Sequence, residues 1–225
     1  MDIAQFVGET TLQMISDGVA VRAHPENTVT GESDGIVCSG YFDPEGKVFV
    51  CSMGRAFWPE TWAHEFCHYT QWKDGFMDQF DDEIIWDWLG GNDYSFEAVE
   101  KSVRGSQELE ADNERRTVEV IKKYDLPIDL EAYRQKSNAY IMFYDVVLKT
   151  RMWPTGTNVT YSDPAIYCKF PADRIMGDSE FCDAPPWFME AVVSRMGEQK
   201  KPTLWQKLRR KVLTVYDPKH GQGQL

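Results

Sequence analysis

Residues 64–68 read His-Glu-Phe-Cys-His, so two imidazoles stand at i and i+4 with a carboxylate beside the first. On an α-helix that spacing puts both rings on one face, one turn apart, where they can grip a single zinc ion. Glu65 falls roughly a quarter turn around the same helix, within reach of a water on the metal, and is the candidate general base. A catalytic zinc has three protein ligands and one open position, so one further donor is needed. Ser106-Gln107-Glu108-Leu109-Glu110-Ala111-Asp112 offers it from a downstream helical pattern. Glu108 and Asp112 are four apart and share a face. The expected third ligand is Glu108, with Asp112 accepting a hydrogen bond from the far nitrogen of a ligand histidine. Glu110, the alternative third ligand, points to the other side of that helix, together with Glu114.

His64-Glu65-Phe66-Cys67-His68, followed some forty residues later by Glu-x-x-Ala-Asp over residues 108–112, resembles the gluzincin metallopeptidases, in particular their compact single-domain (minigluzincin-like) members. The resemblance covers roughly residues 35–125, and the HExxH is its specific part. It implies a zinc cofactor bound by His64, His68 and Glu108, with Glu65 as general base and Asp112 behind the ligands. It also implies that the strand before the active-site helix, here Lys47 to Met53, is an edge along which an extended peptide substrate pairs. Peptide deformylases combine HExxH with a cysteine from an upstream strand, for which Cys51 is the counterpart, but their flanking motifs are absent. Residues 69–75 hold no third histidine, so no metzincin motif is completed.

The elements that must position these side chains follow from periodicity and breakers. Ile3, Val7, Thr11, Met14 and Ile15 predict an opening helix, and residues 19–23 a strand. Two strand-like segments flank Asp43-Pro44-Glu45-Gly46; pairing Phe42 with Lys47 sets Cys38 opposite Cys51. Trp58-Pro59-Glu60 opens the HExxH helix, which runs to about Lys73, and Trp62, Phe66 and Tyr69 form its burying face. Residues 81–89 predict a short acidic helix. A long helix follows over residues 95–124, with an interruption expected at Gly105-Ser106. Pro127 ends it, and Asp129 caps another that reaches about Arg151. Residues 153–186, rich in Pro, Gly, Asp and aromatics, read as an ordered irregular segment over the core, and two further helices follow. The expected class is α+β and zincin-like, with a small N-terminal mixed sheet, the HExxH helix and a mainly helical remainder. All of it reads as a single domain over residues 1–225, with the sheet and active-site helix in 1–90 and a helical lobe in 91–225.

A net charge of −12 disfavours general nucleic-acid binding, since phosphate neutralisation needs surplus cations. The exception is the basic stretch over residues 200–219; residues 200–225 carry a net +6. Five cysteines without a CxxC do not form a disulfide framework. No span is apolar enough for a bilayer and the first residues do not read as a secretory signal, so a cytoplasmic protein is expected. The leading functional expectation is a zinc-dependent hydrolase of peptide bonds acting on a protein or peptide. The alternative is a non-catalytic binding or assembly protein that keeps the zinc fold, although such a scaffold has no need of Glu65. Tyr140, Tyr144, Arg174 and His220 are sources of a donor for the developing oxyanion, and none is assigned.

Overall fold

The computed structural model describes residues 3–31, 37–80, 83–153 and 160–196. Helix α1 (Ile3–Ser16) buries Phe6, Thr10 and Met14, positions spaced by four. Strand β1 (Ala20–His24) follows, then a two-strand ribbon of β2 (Val29–Thr30) and β3 (Val37–Cys38). Strands β4 (Gly40–Asp43) and β5 (Val48–Ser52) complete a mixed sheet ordered β1-β5-β4, with β1 parallel and β4 antiparallel to β5. The architecture is thus α+β: a small N-terminal sheet followed by a mostly helical chain.

The register of the β4–β5 hairpin corrects the expected one. Phe42 pairs with Phe49, and Gly40 faces Cys51. Asp43 Oδ1 accepts from the backbone N–H groups of Glu45 and Gly46, and Lys47 adopts a left-handed φ of 50°. Lys47 is therefore spent on the turn instead of on a pair, and Cys38 does not meet Cys51. Strand β5 is also the inner strand, so the segment expected to be a substrate-pairing edge has β1 on one side and β4 on the other.

Helix α2 (Trp58–Lys73) carries Pro59 in its first turn, where no N–H is missed. Trp62, Phe66 and Tyr69 are buried against α1 and the sheet, as their spacing predicts. Trp62 Nε1 donates to Thr10 Oγ1 at 3.0 Å, and Tyr69 donates to Asp17, so the polar tips of this apolar face are satisfied. Full burial of side chains of this size contributes about 1.5–3 kcal/mol each.

Helix α3 (Glu83–Gly90) leads to α4 (Phe96–Tyr124), which starts with the Ser95 side chain accepting from the Ala98 N–H. Helix α4 runs through Gly105-Ser106 without the expected break. A Cβ on residue 105 would lie 3.2 Å from the Phe80 ring, so the glycine serves packing here and ends nothing. Left-handed Asp125 terminates α4. Asp129 then caps α5 (Leu130–Thr150) by accepting from the N–H groups of Glu131 and Ala132, a device worth about 1 kcal/mol. The stretch after residue 160 holds short helical turns, including α6 (Pro164–Tyr167), and α7 (Pro186–Met196) closes the described chain.

Two apolar clusters organise the interior. One joins α1, the sheet and α2 to Val118, Ile121 and Tyr124 of α4 and Tyr133 of α5. The other joins Val99, Val103 and Ala111 of α4 to Ala139–Leu148 of α5, the irregular segment and Phe188 and Val192 of α7. Helices α4 and α5 thread both. The residues of α4 between the two clusters, 112–117, are largely polar, and Asn113 and Glu114 among them reach His64 of α2. The basic residues 200–219 and His220 lie outside the described residues. Among those described, no helix is long and apolar enough to cross a membrane.

Candidate metal centre

His64, Glu65 and His68 offer donor atoms that lie within 4.8 Å of one another and could hold a metal ion. The two imidazoles are half-buried, with ring centroids 4.7 Å apart and planes nearly perpendicular. Each ring has one nitrogen tied by a partner. His64 Nδ1 donates to Glu114 Oε1 at 3.2 Å, and His68 Nδ1 donates to Gln71 Oε1 at 2.9 Å. The direction of the second bond follows from Gln71, whose Nε2 is engaged with Leu109 O and Asp112 Oδ2, both at 2.8 Å. In a neutral imidazole, a hydrogen on Nδ1 leaves Nε2 as the acceptor. Asn113 Nδ2 also lies within hydrogen-bond distance of His64, 3.5 Å from Nδ1 and 3.4 Å from Nε2.

Both Nε2 atoms point toward one carboxylate, and it belongs to Glu110. Its Oε2 is 3.8 Å from His64 Nε2 and 3.7 Å from His68 Nε2. It is also, among the described residues, the buried side-chain oxygen that has no hydrogen-bond partner. With both imidazoles neutral, the two Nε2 nitrogens and this carboxylate oxygen are acceptors that converge on one point. Such a set is satisfied by a cation. Ligands about 2.0–2.1 Å from a tetrahedral metal stand about 3.4 Å apart, within a few tenths of the distances observed.

The structure does not bring the expected third donor, Glu108, to the histidines. Its side chain is exposed, on the far side of α4 from the histidines. The pairing of faces was right, Glu108 with Asp112 and Glu110 with Glu114, but the second pair looks at α2. A readable signal was present. Glu110 and Glu114 continue the stripe Val99, Val103, Ser106, Thr117 and Ile121, all buried and all at steps of three or four. Asp112 is also displaced from its expected role: it holds Gln71 and Arg116, and so acts on His68 through the glutamine. Glu114 and Gln71 are the direct partners of the histidines, a role that the sequence reading assigned to neither.

Glu65 is buried beside β4. Gly40 makes this approach possible, since a Cβ there would lie 2.8 Å from the Thr61 methyl and from Val50 O, and 3.2 Å from Glu65 Cγ. Burial raises the Glu65 carboxyl above its usual range, opposed by the charge of His64 and a hydrogen bond from the Phe42 backbone. Cys51 does not join the group. Its Sγ lies near Ser52 O and Trp58 O, and burial pushes the thiol up to about 12. No family model, curated protein or solved structure matches the chain.

The electrostatics describe a site with an excess of negative charge. Burial opposes a charge on His64, but Glu114, Glu65 and Glu110 outweigh it and push this imidazole up to about 10. Burial, then the charge on His64, pushes His68 down to about 3. Burial lifts Glu110 to about 7, aided by the neighbouring carboxylates and opposed by His64. Glu114 stays below the usual range despite burial, because His64, Tyr133 and Ser137 all favour its charged form. Of the other sequence candidates, Tyr140 and Tyr144 reach Glu110, whereas Arg174 is engaged with Glu180.

Proposed function

We propose that the chain is a zinc-dependent metallopeptidase of gluzincin type, with His64, His68 and Glu110 as ligands and Glu65 as general base. The observation that carries this reading is the convergence of the two Nε2 atoms on the partnerless Glu110 Oε2. Two imidazoles and one carboxylate form the His₂Glu donor set of catalytic zinc sites, and softer thiolate ligands are missing from it. A zinc ion held there supplies a Lewis acid that polarises a carbonyl and lowers the pKa of water toward neutrality.

The chain's own residues do the rest. Glu65 accepts a proton from the attacking water and returns it to the departing amine, which a carboxyl raised by burial suits better than an exposed one. Glu114 and Gln71 hold the imidazoles in the tautomer that presents Nε2. Strand β4 is an outer strand and, unlike the opposite edge β1, passes against Glu65 at Gly40, so its backbone is where an extended peptide would add as a further strand.

The test combines elemental analysis with hydrolysis of a denatured protein substrate by the zinc-loaded chain. About one zinc per chain is expected, with cleavage that Glu65→Gln abolishes while metal content stays. Zinc binding with no cleavage of any protein or peptide would leave the binding or assembly reading. A folded chain that takes up no zinc would end both.

A further inference from the structure

We infer that Tyr140 and Tyr144 form a hydroxyl clamp on Glu110 Oε1 that makes Glu110 a one-oxygen ligand, presenting Oε2 alone to the metal. This rests on the metal-site reading above and goes beyond it, since it assigns a function to two side chains outside the donor set. Tyr140 Oη lies 3.1 Å and Tyr144 Oη 3.4 Å from Glu110 Oε1, with the two hydroxyls 3.2 Å from each other. The two oxygens of this carboxylate thus have opposite surroundings. Oε1 is met by two phenol donors, and Oε2 faces two imidazole nitrogens and no donor.

The hydroxyl directions are set by the rings. Tyr140 and Tyr144 are one turn apart on α5, and their rings meet edge to face at 5.6 Å. Tyr140 also packs on Tyr161 at 5.1 Å and Tyr144 on Trp153 at 5.4 Å, so neither phenol can swing from Glu110 without disturbing an aromatic neighbour. A carboxylate can bind a cation through one oxygen or both. Hydrogen bonds on Oε1 compete with the second mode, leaving a coordination position open for water and substrate.

The experiment uses Co²⁺ in the full-length protein, because its visible bands are intense in four-coordination and weak in five-coordination. Wild type, Tyr140→Phe/Tyr144→Phe and the single Tyr144→Phe are titrated with Co²⁺ and then competed with a chelator. The clamp predicts four-coordinate bands in wild type and five-coordinate bands in the double variant. It also predicts metal affinity lower by about 10–100-fold, the usual cost of losing a partner behind a ligand. The phenylalanine rings preserve the packing, so a purely structural role would change thermal stability and leave the bands as they were. Wild-type bands and affinity in the double variant overturn the clamp while the metal site stands. Absence of any Co²⁺ band in folded wild type overturns the metal site and the clamp with it. If the double variant does not fold, Tyr144→Phe alone carries the same test, with an intermediate change expected and an unchanged spectrum counting against the clamp.

Discussion

His64 Nδ1 and Glu114 Oε1 are 3.2 Å apart, and the same carboxylate accepts through its other oxygen from the Tyr133 hydroxyl. Glu114 is buried and is carried by α4, while His64 comes from α2, so this bond joins the two helices at the candidate metal site. Glu114→Gln keeps the shape and removes the charge. Zinc affinity measured by chelator competition is expected to fall about 10–100-fold, with Glu65 chemistry retained at saturating zinc. An unchanged affinity would make Glu114 a packing residue.

Glu110 and Glu108 differ by two positions and are expected to differ completely in effect. Glu110→Ala removes a buried donor and should reduce zinc affinity by more than the ~100-fold ceiling typical of residues behind the ligands. Glu108→Ala alters an exposed position, with stability expected within about 0.5 kcal/mol of wild type and zinc content unchanged. Elemental analysis after dialysis against a weak chelator separates them. The reverse ranking would restore the helix-facing expectation drawn from the sequence.

Asp145 supplies a stability test away from the metal. It is fully buried and accepts from Arg104 at 2.9 Å, Lys149 at 2.8 Å and the Ala184 N–H at 2.9 Å, joining α4, α5 and the segment before α7. Asp145→Ala strands these donors and is expected to cost about 3 kcal/mol, the low end for a broken buried pair because Arg104 and Lys149 still reach water. Lys149→Ala, on a side chain 41% exposed, should cost under about 1 kcal/mol. Urea denaturation of both variants checks the ranking.

Glu180 gives a pH dependence. A side-chain hydrogen bond from Arg174, and then one from the Gly177 N–H, hold its carboxyl at about 2 against the usual 4.5. The folded state thus binds this proton less readily than the unfolded chain. The stabilisation is complete above about pH 4.5 and fades as pH falls toward about 2. Both side chains are exposed, so the effect is below about 1 kcal/mol. The gap in urea midpoint between wild type and Glu180→Gln is expected to be open near neutrality and to narrow by about pH 3. A gap that does not vary with pH would exclude this linkage.

Local signals in the chain sufficed for most elements near the site. The bounds of α2, the Asp129 cap, the end of α4 before Pro127 and the buried face of Trp62, Phe66 and Tyr69 all follow from spacing and capping chemistry within a few residues. The Gly105 break failed because helix propensity is a weak prior and Phe80, distant in sequence, fills the space that a Cβ would take. The hairpin register failed at Lys47, whose left-handed φ belongs to the turn, so a turn of the same length sits one residue further along, over residues 44–47.

The grouping of His64, Glu65 and His68 was settled by five consecutive letters, because an i, i+4 pair on a helix converges whatever surrounds it. Which glutamate of α4 faces them was not, although helical periodicity had already sorted Glu108 from Glu110. Periodicity fixes which residues share a face and leaves the rotation of the helix about its axis free. That rotation is set by packing against α2 and α5, where Val103, Ala111, Val118 and Ile121 seek burial and turn Glu110 and Glu114 inward with them. The hydroxyls of Tyr140 and Tyr144 reach Glu110 for the same reason: α5 buries its apolar face on α4, and the contact between two helices is written in neither one alone.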